Sequence, residues 1–390
     1  MLNNYFADLH IHIGRDLYDK PVKITASKTL TLPNILQEAS RRKGLNLIGI
    51  IDCHAPNVQE ELNQLINEGI AKELEEGGIQ YEDTTLLLGS ELEIYDDQCL
   101  GPVHVLVFFP SLIEMSSFTE WLRDKITNLS LSSQRYYGTA LELQQKVKEL
   151  SGLFIPAHVF TPFKSLYGKG VKKSLTEIFN PNLIDAIELG LSSDTYMADQ
   201  ISELHQYTYL TNSDAHSLGK IAREYQEIIM KRPTFKEFEW ALKRKKGRKI
   251  KRNFGMNPKL GKYYSTVCTN CFEKVPYKTI VCPTCKSKKI VNGVYDRINE
   301  LSTIKSKKIE RPDYIYQVPL EYLPTLGPIT LEKLLDQFGT EMNIIHHVPI
   351  EKLERVVSKK LAESIGKMRK GKLQVEAGGG GKYGKISPTS

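Results

Sequence analysis

The chain has 390 residues, 41% of them hydrophobic and 25% charged, with a formal net charge of +7. That is ample chain for one large domain of roughly 230 residues and two small ones. No apolar stretch reaches spanning length and no leader pattern opens the chain, which excludes a membrane span and a secreted precursor; the expectation is a cytoplasmic protein with no membrane partner.

From the N-terminus, short apolar runs at 6–12, 45–51, 86–94, 103–109, 153–159, 183–189 and 207–212 predict strands. Helical periodicity fills 36–42, 60–76, 112–129 and 140–150 between them. Strand alternating with helix predicts an α/β domain with parallel strands. In a closed βα barrel the tips of several strands gather at one end, so groups far apart in sequence can converge there.

The polar residues on these runs are of one kind. Asp8-Leu9-His10-Ile11-His12 places both imidazoles on one side of an extended segment, because strand side chains alternate. Asp52 and His54 follow the second run, Glu91 lies in the third and His104 opens the fourth. His158 lies in the fifth, and Asp214 and His216 follow the seventh. Histidine mixed with carboxylate is the donor set of hydrolytic Zn, Mn or Fe sites. Asp8 and Asp52, next to these donors, are expected to accept hydrogen bonds that orient imidazoles. Arg223 is expected to neutralise a phosphate.

This series (H-x-H, D-x-H, a strand glutamate, His before an apolar strand, A-H, S-D-A-H) resembles the polymerase-and-histidinol-phosphatase superfamily. The resemblance implies a distorted seven-stranded βα barrel that hydrolyses phosphoesters with two or three divalent ions (Zn²⁺, Mg²⁺ or Mn²⁺). One ion would take His10, His12, Glu91 and Asp214; a second would share Glu91 and add His104 and His158; a third would use His54 and His216. Many members carry a further histidine about six residues after the first pair. Here Arg15-Asp16-Leu17-Tyr18-Asp19 stands there, leaving either Asp16 or Asp19 to replace it or a third ion held only weakly.

The charge is split along the chain. Residues 1–230, most of the expected barrel at 1–240, hold 19 Lys/Arg against 31 Asp/Glu; residues 231–390 hold 34 against 15. A basic stretch at 241–262 is expected to link the barrel to the C-terminal units and to grip nucleic acid. Its candidate contacts are Lys243, Arg244, Lys245, Lys246, Arg248, Lys249, Lys251 and Arg252. Cys268-x2-Cys271-x10-Cys282-x2-Cys285 then predicts one structural Zn²⁺ on four thiolates in a zinc-ribbon-like module at 263–317.

Residues 318–373 resemble a tandem helix-hairpin-helix domain, in which hairpin glycines let backbone N–H groups approach phosphates. Gly327 keeps one hairpin glycine, whereas Thr325 and Ser358 stand where glycine is usual; Lys359 and Lys360 follow the second hairpin. The glycine-rich end, 374–390, is expected to be a flexible tail.

The order of these units, with Ala26-Ser27-Lys28 and Gly49-Ile50-Ile51-Asp52, resembles the endonuclease Q family over nearly the whole chain. That resemblance implies a nick 5′ to hypoxanthine, uracil, xanthine or an abasic site in double-stranded DNA, hence a nucleoid-associated enzyme. A monomer is the simplest assembly, and a sliding clamp is a candidate partner. The lesion pocket is expected near 160–170 and 93–100, with Lys164, Tyr167 and Lys169 as contacts. Two other functions share parts of the pattern: a small-molecule phosphatase of the histidinol-phosphate type, which leaves the basic half without purpose, and a non-catalytic DNA-binding scaffold.

Overall fold

A computed structural model describes residues 1–303, 309–376 and 384–386. Seven strands follow the expected runs: β1 (Asn3–Ile11), β2 (Leu47–Ile50), β3 (Thr84–Ile94), β4 (Val103–Phe109), β5 (Leu153–Pro156), β6 (Ala186–Glu188) and β7 (Thr208–Leu210). Helices α1 (Leu32–Gln37), α2 (Pro56–Asn67), α3 (Leu112–Leu122) and α4 (Ala140–Glu149) lie between them. α2 stops well short of the predicted 60–76. Gly69, in the left-handed region at φ +72°, turns the chain, and Lys72–Glu73 then pairs with Ile79–Tyr81.

The strands are not all parallel. β1, β2 and β3 are, but β4 runs antiparallel to β3 and β5 antiparallel to β4. The cause is the short link from Ile94 to Val103, which carries no helix and so permits only an antiparallel return. β6 and β7 form a separate parallel pair. Backbone hydrogen bonds from Asp185 N to Phe154 O and from Val159 N to Glu188 O flank β5 and β6, and an Ile11–Ala215 bridge leads from the end of β7 back to β1. Ala7, Leu9, Leu47, Leu87, Leu106, Ile155, Ala186 and Leu210, from all seven strands, meet in one buried apolar cluster.

The larger sheet continues beyond these strands. β8 (Tyr225–Met230) pairs antiparallel with β1, then comes α5 (Phe235–Leu242), and β9 (Lys249–Gly255) pairs antiparallel with β8. The basic stretch is therefore not a linker; it closes α5, turns, and becomes a sheet strand whose Ile250 and Phe254 are buried. After the cysteine module, α6 (Val294–Leu301) packs on the body, and β10 (Asp313–Tyr316), inside the expected zinc module, pairs parallel with β9.

The C-terminal region is helical. A short turn at Leu320–Tyr322 precedes α7 (Pro328–Phe338); α8 (Glu341–His346) leads to the short α9 (Ile350–Leu353), and α10 (Lys359–Arg369) comes last. Gly327 caps α7, Ser358 caps α10 through its Oγ, and Lys359 and Lys360 open α10. Thr325 adopts φ +73°. The region shares its core with the rest: one cluster of buried side chains extends from Phe6 through Val294 and Leu334 to Met368. Lys43 pairs with Glu341 at 2.8 Å, both buried, and His346 stacks on Phe6 with centroids 4.5 Å apart. In the expected tail, Val375–Glu376 pairs with Lys385–Ile386; 377–383 and 387–390 lie outside the described residues. Among the described residues no helix is long and apolar enough to cross a membrane.

Candidate metal centre

The donors collect at one end of the strands. For the parallel strands that end is C-terminal, which puts His10 and His12 at the close of β1, His158 just past β5 and Asp214 just past β7. β4 runs the other way, so its second residue, His104, reaches the same end. Two side-chain groups form: His10, His12 and Asp214, and Glu91, His104 and His158. His158 and Asp214 hold positive φ angles of +29° and +47°. Such backbone costs on the order of 1–3 kcal/mol per residue and persists where the surroundings impose it, as at functional sites.

Apart from the His104–Glu91 contact, the spacing within the cluster is that of ligands, not of hydrogen bonds. His10 Nε2 is 3.5 Å from both Glu91 Oε1 and Asp214 Oδ1. His12 Nε2 is 3.7 Å from Glu91 Oε2 and 3.6 Å from Asp214 Oδ1, and His158 Nε2 is 3.5 Å from Glu91 Oε1. Donors each about 2.1 Å from one tetrahedral ion stand roughly 3.4 Å apart. The Nε2 atoms of His10, His12, His104 and His216 are buried with no hydrogen-bond partner. An unpaired imidazole nitrogen inside a protein is costly unless something binds it. The residues fit divalent cations.

The opposite ring edges are fixed. Glu188 accepts from His10 Nδ1 at 3.0 Å, and Asp52 from His12 Nδ1 at 3.2 Å. Burial raises the cost of every carboxylate here, yet the neighbouring cations prevail. His10 and His12 hold Asp214 well below the usual carboxylate range, and His104 and Lys23 do the same for Glu91. His104 Nδ1 donates to Glu91 Oε1, 2.9 Å away, with Nε2 turned toward Glu93 at 3.6 Å.

Five expected ligands or helpers sit elsewhere. His54 is closed off: its Nδ1 meets Ser90 Oγ at 2.8 Å and its Nε2 meets the Leu131 carbonyl at 3.2 Å. Asp19 is out in solvent, its side chain 87% exposed, and Asp16 is spent on the Tyr18 and Lys20 amides and Asn57. Arg223 grips the Ser213 and Asp214 carbonyls, holding the ligand loop. Asp8 orients no imidazole; it accepts from the Ser213 and Ala222 amides and so shapes the same loop. His216 does reach the cluster, 3.4 Å from Asp214 Oδ1.

Glu188, Lys23 and Ser133 escaped the sequence. Glu188 is buried and also takes the His158 amide and Asn212, both at 2.8 Å. Beside it opens a cavity of about 180 Å³ reached by His158, Asp214, Ser192, Met256, Lys262 and Tyr263. Gly190 lines it at φ +78°, where a Cβ would fall 2.7 Å from that of His158. Tyr167, expected as a pocket contact, is instead buried against Phe160 with its hydroxyl on Glu203. Lys164 pairs with Glu93 at 2.9 Å, and Lys169 packs on Gly101.

The four cysteines converge. Sγ of Cys268 and Cys285 are 3.6 Å apart, as are those of Cys271 and Cys282, and all four lie within 4.8 Å of one another. Disulfide sulfurs would sit near 2.05 Å, whereas thiolates around one zinc sit about 3.8 Å apart. Phe272 and Lys286, each directly after the second cysteine of a pair, take matching φ values of +63° and +59°.

The basic stretch reaches the metal centre only at its far end, where Lys262 lines the cavity; its beginning lies away from it. Lys249 pairs with Ile229, which in turn faces Asn4, six residues of strand from His10, or roughly 20 Å. Lys243 pairs with Glu239, Arg248 with Glu237, and Lys251 and Arg252 with Glu227. Lys246 lies over the Trp240 ring at 4.2 Å. Arg244, Lys245 and Lys249 have no ion-pair partner among the described residues.

A mixed α/β fold with two such donor groups at one end of its strands defines a metal-dependent hydrolase. No protein-family profile matches the chain. It is 55% identical to the protein YqxK of Bacillus subtilis over 387 residues, spanning 99% of this chain and 100% of that one. A crystal structure of the lesion-specific endonuclease PfuEndoQ from Pyrococcus furiosus is 34% identical with a TM-score of 0.85, covering 98% of this chain and 95% of that one. An endonuclease Q complex with a 27-mer duplex bearing an abasic lesion at the active site is 34% identical with a TM-score of 0.84, covering 98% and 96%. The chain belongs to the endonuclease Q family.

Proposed function

We propose that this chain is a DNA-repair endonuclease that hydrolyses the phosphodiester 5′ to deaminated bases and abasic sites in duplex DNA. Its seven strands act as a distorted barrel, its cysteine module holds a structural Zn²⁺, and its C-terminal helices serve as helix-hairpin-helix-like supports for DNA. The observation that carries this reading is the cavity between His158 and Asp214, which draws one wall from each donor group. A nucleotide turned out of the duplex into it brings its 5′ phosphate to both groups. Deaminated and abasic nucleotides pair poorly or not at all, so extruding them costs least.

His10, His12 and Asp214 would hold one cation, and Glu91, His104 and His158 another. Divalent ions there supply Lewis-acid stabilisation of phosphoryl oxygens and lower the pKa of water. The chain's own residues do the rest. Glu188 and Asp52 fix imidazole orientation; Arg223 and Asp8 hold the Asp214 loop in its strained form; Tyr263 and Met256 offer apolar walls that shed water around a flipped nucleotide. Labelled duplexes carrying a single uracil, hypoxanthine or abasic site, incubated with Mg²⁺ or Mn²⁺, test this. A nick 5′ of the lesion is the expected product. Turnover of phosphate monoesters alone would identify a small-molecule phosphatase, and binding without cleavage a scaffold.

A further inference from the structure

The loop after β1 folds back over the strand ends. Val22 N donates to the Gly14 carbonyl, Lys23 N to that of Ile13, and Ser132 N to that of Val22. The return carries Lys23 into the centre, its side chain 15% exposed, with Nζ 3.2 Å from Glu91 Oε2 and 2.5 Å from Ser133 Oγ. Ser133 Oγ also donates to Glu91 Oε2, and Ser132 Oγ touches His12 Nδ1 at 3.1 Å. A lysine is rarely buried unless paired, and this one is paired with Glu91, a donor of the second group that lies 3.5 Å from His10 Nε2 of the first.

The third cation implied by superfamily resemblance has lost its donors. Both His54 nitrogens are committed, Asp19 is exposed and Asp16 is occupied, so His216 stands alone of that set. Among the described residues the buried histidine and carboxylate donors make two groups, not three. We infer that this centre takes two divalent cations, and that the Lys23 ammonium on Glu91 Oε2 is the third positive charge. A tethered ammonium needs no open coordination position and keeps Glu91 oriented between the two groups. Lys23 is thus a positioning residue for the hydrolytic site. The inference rests on the metal-hydrolase reading.

Metal counting on the full-length protein tests it. After saturation with Zn²⁺ or Mn²⁺ and desalting, mass spectrometry should find about three ions per chain: two in the centre and one on the cysteines. Four per chain would overturn the inference. Lys23→Met should keep that count while kcat for nicking falls at least about tenfold with KM within about threefold, and Lys23→Arg should recover part of the loss. A kcat within about twofold of wild type in Lys23→Met would also overturn it. Should Lys23→Met not fold, the wild-type count decides alone. Three ions in a wild-type protein that nicks no lesion would defeat the proposed substrate and leave the two-cation centre standing.

Discussion

Glu188 holds Nδ1 of His10 with both carboxylate oxygens, 3.0 and 3.1 Å away, and so leaves Nε2 of the ring facing Glu91 and Asp214. The same carboxylate takes the His158 amide, coupling a ligand of each donor group through one buried side chain. Loss of such an outer carboxylate commonly costs about 10–100-fold in metal affinity or activity. Glu188→Gln is expected to fall in that range, read by metal titration and by nicking. Values within about twofold of wild type would show that the ring needs no such support.

Replacing Asp214 or His10 with Ala should abolish nicking and leave DNA affinity within about threefold, because these side chains hold cations, not duplex. Cleavage surviving within about tenfold of wild type would remove both from the ligand set.

How much of the site is visible in the sequence depends on whether a residue announces itself against its neighbours. H-x-H and S-D-A-H stand out from apolar flanks, and His104 can be picked before its run, though only the antiparallel course of β4 explains why it leads while the others follow. Glu188 sits inside Ala186-Ile187-Glu188-Leu189 as a single polar residue on a strand tip, with no paired motif to mark it. Lys23 lies in an aperiodic loop whose path depends on contacts with residues 132–133, more than a hundred positions away. His54 and the basic stretch mislead in the opposite sense. A histidine in the right place is closed off by Ser90 and Leu131, and a run of cations is a sheet strand with acids opposite. Composition records charge but not the partner across the ladder. The fold class is legible because strand and helix periods are local; strand direction is not, because it turns on one short connection.

The location of the basic run has a measurable consequence. On B-DNA, log affinity falls with log salt by about 0.9 per phosphate contact. Replacing Arg244, Lys245 and Lys249 together with Ala should leave that slope unchanged, since these cations stand at the end of the strands away from the metal centre. A slope flatter by about 2.7, three contacts' worth, would put the duplex on that face after all.

Acid should loosen the C-terminal helices before it unfolds the strands of the main body. His346 Nε2 lies 2.6 Å from the Tyr225 hydroxyl and its ring stacks on Phe6; burial, helped by His347 and Arg369, pushes its pKa down to about 3. The unfolded chain takes up this proton near pH 6.5 and the folded chain only near 3, so the unfolded state binds more protons between those values. Stability from this group is therefore complete above about pH 6.5 and is lost progressively as pH falls toward 3. His346→Phe keeps the stack and removes the titration. Its denaturation midpoint should drop less between about pH 7 and about pH 4 than that of wild type; an equal drop would assign the acid sensitivity to other groups.

The cysteine module should be the part most dependent on its metal. Its own core is little more than Cys268, Cys282 and Val275, with Ile290 packed against them, far too small to fold on burial alone. Its exit is tied down separately. Thr266 donates through N and Oγ1 to Asp296, and Arg297 of α6 donates to the carbonyls of Tyr167, Val171 and Lys172 on the main body. Val294, Ile298 and Leu301 are buried in the shared core. Cys271→Ser or Cys282→Ser should therefore release about one zinc per chain and unprotect residues 267–290 in hydrogen exchange, while α6 and the metal centre stay protected. Nicking should fall through weaker or misaligned binding of the duplex and return in part at high protein concentration and low salt. Zinc content untouched by either substitution would mean that the four thiolates do not share one ion. Loss of all soluble protein would mean that α6 cannot hold the junction, and that module and main body fold as one.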